Sequence, residues 1–113
     1  MDNPKPTAEV KIGEKTYTMT FDFNAMAIIQ EETGRNPFGS DLWNNLGPLE
    51  VIDVLYGFLN TQHPEIKKEN LRKMIHIGNM KHIITVMQEA WEKAIPEDDG
   101  GSGSGEKKMN QDG

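Results

Sequence analysis

The chain has 113 residues, enough for one domain with a modest core. Eighteen acidic residues against 12 basic ones give a formal net charge of −6, which argues against non-specific binding to phosphate backbones. The absence of cysteine excludes disulfides and thiolate-bound metal.

Residues 1–7 carry two prolines and little apolar surface and read as a loose leader. They show neither the basic start nor the apolar centre of a signal peptide. No apolar run approaches the roughly 20 residues that span a bilayer. The expectation is a soluble protein that stays in the compartment where it is made.

Ala8, Val10 and Ile12 alternate with Glu9 and Lys11, and Tyr17, Met19 and Phe21 alternate with Thr18 and Thr20. This two-residue period predicts a hairpin of two strands. Gly13-Glu14 forms the turn, with glycine at the first central position of type II′. A two-residue loop pairs Ile12 with Lys15, Val10 with Tyr17 and Ala8 with Met19. Val10, Ile12, Tyr17 and Met19 then share one face, which the helices must cover.

The period changes at Asp22, a predicted N-cap. Ala25, Met26 and Ile29 follow at helical spacing, Glu31 and Glu32 take the wet side, and Gly34 ends the helix in the left-handed conformation. Arg35-Asn-Pro-Phe-Gly39 is a turn, and Ser40 is expected to cap a short helix carrying Leu42, Trp43 and Leu46. A third helix starts with Pro48 at its first position and runs to about Thr61. Its polar residues Glu50, Asp53, Gly57 and Asn60 form one narrow stripe, and apolar residues fill nearly all the remaining circumference. A helix this apolar is the centre of the core, or it presents one flank to a partner.

Gln62-His-Pro-Glu65 breaks that helix. Lys68 to Ile77 is the next, with Leu71, Met74 and Ile75 on its apolar face; Gly78 is expected to end it and Asn79 to cap the last helix. There Met80, Ile83, Ile84, Met87, Trp91 and Ala94 keep the three-and-four spacing until Pro96 stops it. Residues 97–113 contain a Gly-Gly-Ser-Gly-Ser-Gly run and read as a disordered acidic tail holding −3 of the net charge. The fold class is therefore α+β, mostly α: an N-terminal hairpin packed on a bundle of four to five helices, folded over residues 8–96.

Chemistry-bearing constellations are sparse. His63 lies in a loop, and His76 and His82 are six residues apart, whereas ligands on one helix need three or four. Glu31-Glu32 and Asp98-Asp99 are adjacent pairs that cannot flank a substrate. The sequence holds no phosphate-cradling loop and no Ser or Thr beside a base, so no catalytic, metal or cofactor residue is assigned. Glu69 to Trp91 has the outline of a helix-turn-helix. Only Lys81 and His82 are basic at the start of its second helix, which argues against a DNA reader. Met26, Met74, Met80 and Met87 lie on apolar faces, either filling the core or meeting a partner.

The hairpin Val10-Lys-Ile-Gly-Glu-Lys-Thr-Tyr17, the helix opening Phe21-Asp-Phe-Asn-Ala25 and its close Glu31-Glu-Thr-Gly34 resemble the phage tail assembly chaperones of the gene-transfer-agent type. The apolar helix ending near His63-Pro64, the Leu71–Ile75 helix and the final amphipathic helix extend the resemblance over about residues 9–95. It implies a non-enzymatic helper in long-tail assembly that works in the host cytoplasm. Such a helper holds the tape measure protein soluble, brings tail tube subunits to it, and is absent from the mature virion. No cofactor, nucleic acid or membrane is implied. Together with the apolar pattern, it places client contacts on Phe38, Trp43, Val51, Leu55 and Phe58. Alternatives are a tail tube or tail completion protein retained in the virion, and the helix-turn-helix regulator.

The same resemblance implies a longer product made by ribosomal slippage. Glu106-Lys107-Lys108 can be encoded by a slippery run, and the Gly-Ser stretch would then link an added domain. A frayed terminus or a linker left by cloning accounts for the same residues.

Overall fold

A computed structural model of the chain describes residues 6–39 and 42–94. Two strands, β1 (Thr7–Ile12) and β2 (Lys15–Thr20), form an antiparallel hairpin. Four helices follow: α1 (Phe23–Thr33), α2 (Pro48–Asn60), α3 (Lys68–Met74) and α4 (Ile77–Ala94). The class is α+β and mostly helical, as the alternating and helical periods imply.

The hairpin register agrees with the sequence residue for residue: Ile12 faces Lys15, Val10 faces Tyr17 and Ala8 faces Met19. Gly13 has φ +67° and Glu14 has no positive φ, the combination that type II′ requires and type I′ forbids. Val10, Ile12 and Met19 are buried and Tyr17 is half-buried. Two helices cover this face, α2 lying over β2 and α4 over β1. Pairing begins one residue earlier than expected, at Thr7 opposite Thr20, and the Pro6 carbonyl accepts the Phe21 amide at 3.0 Å.

Asp22 caps α1 by accepting the Ala25 amide at 2.9 Å, and Gly34 closes the helix at φ +74°. The second Asp22 carboxylate oxygen accepts the Thr61 hydroxyl at 2.9 Å, so the start of α1 is tied to the end of α2. The two helices run antiparallel and touch most closely at Gly57. A Cβ there would lie 2.6 Å from Ile29 Cγ1 and 3.1 Å from the Ala25 carbonyl oxygen. Gly57 is therefore buried between helices, and the polar stripe expected along α2 reduces to Glu50, Asp53 and Asn60.

The hydrophobic core runs through every element. Phe58 of α2 packs edge-on to Phe21 at 4.7 Å between ring centroids and stacks on Trp91 of α4 at 6.0 Å. Met19, Met26 and Met87 are core residues, whereas Met74 and Met80 are half-buried.

Two expected features differ. Residues 42–46 form no helix: 42–45 make a turn, Asn45 adopts φ +52°, and Leu42 alone is fully buried there. The cause is Arg35, whose guanidinium donates to the carbonyls of Leu42, Asn44 and Asn45, drawing them away from helical partners. The bundle has four helices among the described residues.

The break between α3 and α4 also falls earlier than Gly78-Asn79. Ile75 ends α3 in an extended conformation, and Gly78 and Asn79 belong to the first turn of α4. The His76 ring accepts the Gly78 amide at 3.1 Å, and the Asn79 side chain reaches back to the His76 amide at 2.8 Å. This is a reciprocal cap built from His and Asn. The backward half recurs at two other helix starts, Glu50 to the Gly47 amide and Asn70 to the Lys67 amide, both at 2.8 Å.

The Ser40 cap, the Pro96 stop, the 97–113 tail, Glu106, Lys107 and Lys108, and most of the 1–7 leader lie outside the described residues.

Candidate interaction surface

The five side chains expected to meet a client separate into two groups. Val51, Leu55 and Phe58 are 0% exposed, so the apolar girth of α2 is core and offers no flank at these positions. The physical reason is that α1, the hairpin, α3 and Trp91 all close around that helix. Phe38 is 64% exposed, its ring 6.2 Å from Trp91. Trp43 is half-buried against the core.

A different apolar surface is open. The first turn of α2 and the α3–α4 junction enclose a groove of about 300 Å³, walled by Leu49, Ile52, Ile75, Ile77 and Met80. Pro48, Arg72 and His76 complete it. Leu49 is 62% exposed and Ile77 is 95% exposed, so two large aliphatic side chains stand in water at its mouth. Exposed aliphatics clustered in one concavity point to a partner surface. Neither Phe38 nor Trp43 reaches this groove.

The local sequence explains its shape. Pro48 starts α2 without an amide to satisfy, which puts Leu49 on the first turn, outside the buried arc of Val51, Leu55 and Phe58. The His76–Asn79 cap starts α4 at Ile77, and the Asn79 amide group also donates to the Met74 carbonyl at 3.1 Å. That bond holds the end of α3 against the start of α4 and fixes the floor formed by Ile75 and Met80.

In a chain of net charge −6, the groove is lined, among the described residues, by one formally charged residue, the cation Arg72, and by no carboxylate. The acidic residues sit elsewhere. Lys68 of α3 pairs with Glu32 of α1 and lies 3.5 Å from Asp53 of α2, joining three helices, with its ammonium 6.0 Å from the Tyr56 ring centroid. Burial raises the Asp53 carboxyl above its ordinary value, and Lys68 only partly opposes this. The Lys68 ammonium is raised, first by its hydrogen bond to Glu32.

A second hollow of about 340 Å³ separates residues 6–9 from the last turns of α4, where Glu9, Glu89 and Lys93 interleave with Val86 and Ala90. No group of three metal-ligating side chains occurs among the described residues, and no helix there is long and apolar enough to cross a membrane. His63, one of the three candidate histidines, spends its ring on the hairpin: Nε2 accepts the Thr18 amide at 3.0 Å and Tyr17 packs edge-on against it.

Sequence reasoning missed Leu49 and Ile77 as surface residues. The available signal was that both fall in the first turn of a helix, off the stripe that carries its buried positions. Compared with known proteins, the chain matches no family model, no curated protein and no solved structure.

Proposed function

We propose that this chain is a non-enzymatic tail assembly chaperone of a long-tailed phage, acting in the host cytoplasm. In this reading it binds the tape measure protein and tail tube subunits during assembly and is absent from the finished virion. The observation that carries the reading is the open apolar groove between α2 and the α3–α4 junction, with Leu49 and Ile77 exposed at its mouth. A helper that keeps a long, aggregation-prone chain soluble needs apolar surface it can lend and withdraw, and this groove supplies it without exposing the core. The resemblance of the hairpin and of the α1 boundaries to the chaperone family supplies the biological setting.

Binding through such a surface is driven by apolar burial and survives high salt. Co-expression with the tape measure protein tests the proposal. The expected result is a soluble complex that persists in about 1 M salt, a concentration that screens exposed charge pairs. Mass spectrometry of purified virions is expected to find no copy of the chain. A tape measure protein that stays insoluble, or a chain found stoichiometrically in virions, overturns the reading; the second result favours a tail tube or completion protein.

A further inference from the structure

We infer that the groove between α2 and the α3–α4 junction is a dock for one amphipathic α-helix of a client protein, with a carboxylate on that helix facing Arg72. The chaperone reading above supplies the biological client; the chemistry of the occupant comes from the groove itself.

The walls decide helix against strand. They are side chains of helix ends, and four of the backbone amides around them are already used. Gly47 donates to Glu50, His76 to Asn79, Gly78 to the His76 ring and Ile75 to the Leu71 carbonyl. Pro48 has no amide to offer. An extended peptide would lay unpaired amides and carbonyls against Leu49, Ile52, Ile77 and Met80, a costly arrangement for buried backbone. A helix satisfies its own backbone and presents only side chains. Apolar residues at i, i+4 and i+7 match a groove walled by aliphatic side chains and Met80, whose thioether adapts to irregular surfaces.

Charge decides the rest. Among the described residues Arg72 is the only formally charged one lining the groove, so an acidic flank on the incoming helix is attracted and a basic flank is repelled. The chain's own residues 95–113 do not fit the role. Their apolar side chains are Ile95, Pro96 and Met109, which supply no i, i+4, i+7 stripe.

The test uses the full chain and a labelled, alanine-rich model helix of roughly 18 residues. The helix carries leucines at i, i+4 and i+7 and is made in two forms, with glutamates or lysines flanking the leucines. Fluorescence anisotropy is expected to show the glutamate form binding about fivefold more tightly, the scale of an exposed charge pair gained against one lost. Arg72→Glu should invert that preference. Leu49→Asp and Ile77→Asp should each weaken binding at least about tenfold. Their thermal unfolding should be unchanged, because both side chains are exposed and an acid in the first turn suits the helix dipole.

Equal binding by a proline-interrupted version of the glutamate helix would overturn the inference, as would unchanged binding to both aspartate variants. So would sedimentation showing that the chain dimerises through this face and that Ile77→Asp abolishes the dimer. If the tape measure protein binds both aspartate variants at full strength, the groove assignment fails and the chaperone reading stands. If the model helix behaves as expected and the tape measure protein does not bind, the reverse holds.

Discussion

The His63 ring closes an amide of β2: its Nε2 lies 3.0 Å from the Thr18 nitrogen and accepts that hydrogen. In the observed register Thr18 pairs with Glu9, a position whose N–H points away from β1. The histidine therefore takes the place a third strand would occupy. Its lone pair at Nε2 puts the ring hydrogen on Nδ1, which faces Glu65 at 3.8 Å. His63→Ala is expected to cost about 1–2 kcal/mol, the scale of a partly buried amide left without its partner. Urea unfolding measures the loss, and hydrogen exchange should show the Thr18 amide accelerating ahead of its neighbours.

Gly57→Ala is expected to destabilise the protein although it sits inside a helix. On an exposed helix face the change would gain about 1 kcal/mol. Here the new methyl meets Ile29 Cγ1 at 2.6 Å and the Ala25 carbonyl at 3.1 Å, and one of these is backbone that cannot swing aside. Overpacking of this kind costs about 1–3 kcal/mol, and a net loss of 1 kcal/mol lowers the melting temperature of a domain this size by about 4–8 °C. A rise in melting temperature would show that α1 and α2 separate easily.

Asn79 serves two masters, the His76 amide through its carbonyl and the Met74 carbonyl through its amide group. Asn79→Ala removes both bonds and should cost about 1–2 kcal/mol. Asn79→Asp keeps the acceptor for His76 and sets a carboxylate against a carbonyl. Its stability should fall between wild type and alanine. Chemical denaturation of the three proteins orders them.

The Asp53 and Lys68 shifts both predict a loss of stability with rising pH, at the two ends of the scale. The folded state holds the Asp53 proton more tightly than the unfolded chain does, because burial disfavours the carboxylate. Its contribution to stability therefore declines as pH rises from the ordinary carboxylate value of 3.8 through the raised one. Asp53→Asn should gain on wild type as pH climbs from ~3 to ~7. The Lys68 contribution is fully present below 10.5 and lost above it, as pH passes the raised folded value. Lys68→Met should abolish that alkaline loss. Lys68 is substantially exposed, so solvent screens its pairs and the effect is small.

These residues also mark what the sequence made legible. The hairpin register followed from strict alternation around one glycine, because a slip of one residue would have turned Val10 or Met19 into water. The limits of α1 and the start of α2 followed from Asp22, Gly34 and Pro48, whose backbone preferences act locally. The misread positions are those where a side-chain partner decides. Leu42, Trp43 and Leu46 have helical spacing, but Arg35 captures the carbonyls a helix needs. Gly78 looks like a helix stop, but the His76 ring caps its amide and keeps it in α4. Gly57 counted as polar by residue type and serves as the contact point of two helices. For the interaction surface, composition around α2 identified an apolar helix and could not tell covered from open. Val51, Leu55 and Phe58 carry the stronger pattern and are buried; Leu49 and Ile77 carry the weaker one and are exposed.

The covering of β1 by α4 has a consequence for synthesis. The hairpin leaves the ribosome before α1–α4, and half of its apolar face is closed by α4, the helix furthest from it in the order β1, β2, α1, α2, α3, α4. Translation at about 5–20 residues per second puts roughly 4–14 seconds between Ile12 and Ile83. For that interval the nascent chain carries an unroofed pair of strands, a template for joining another growing chain. The exposed charges on its outer face, Glu9 and Lys11, give the waiting hairpin its solubility.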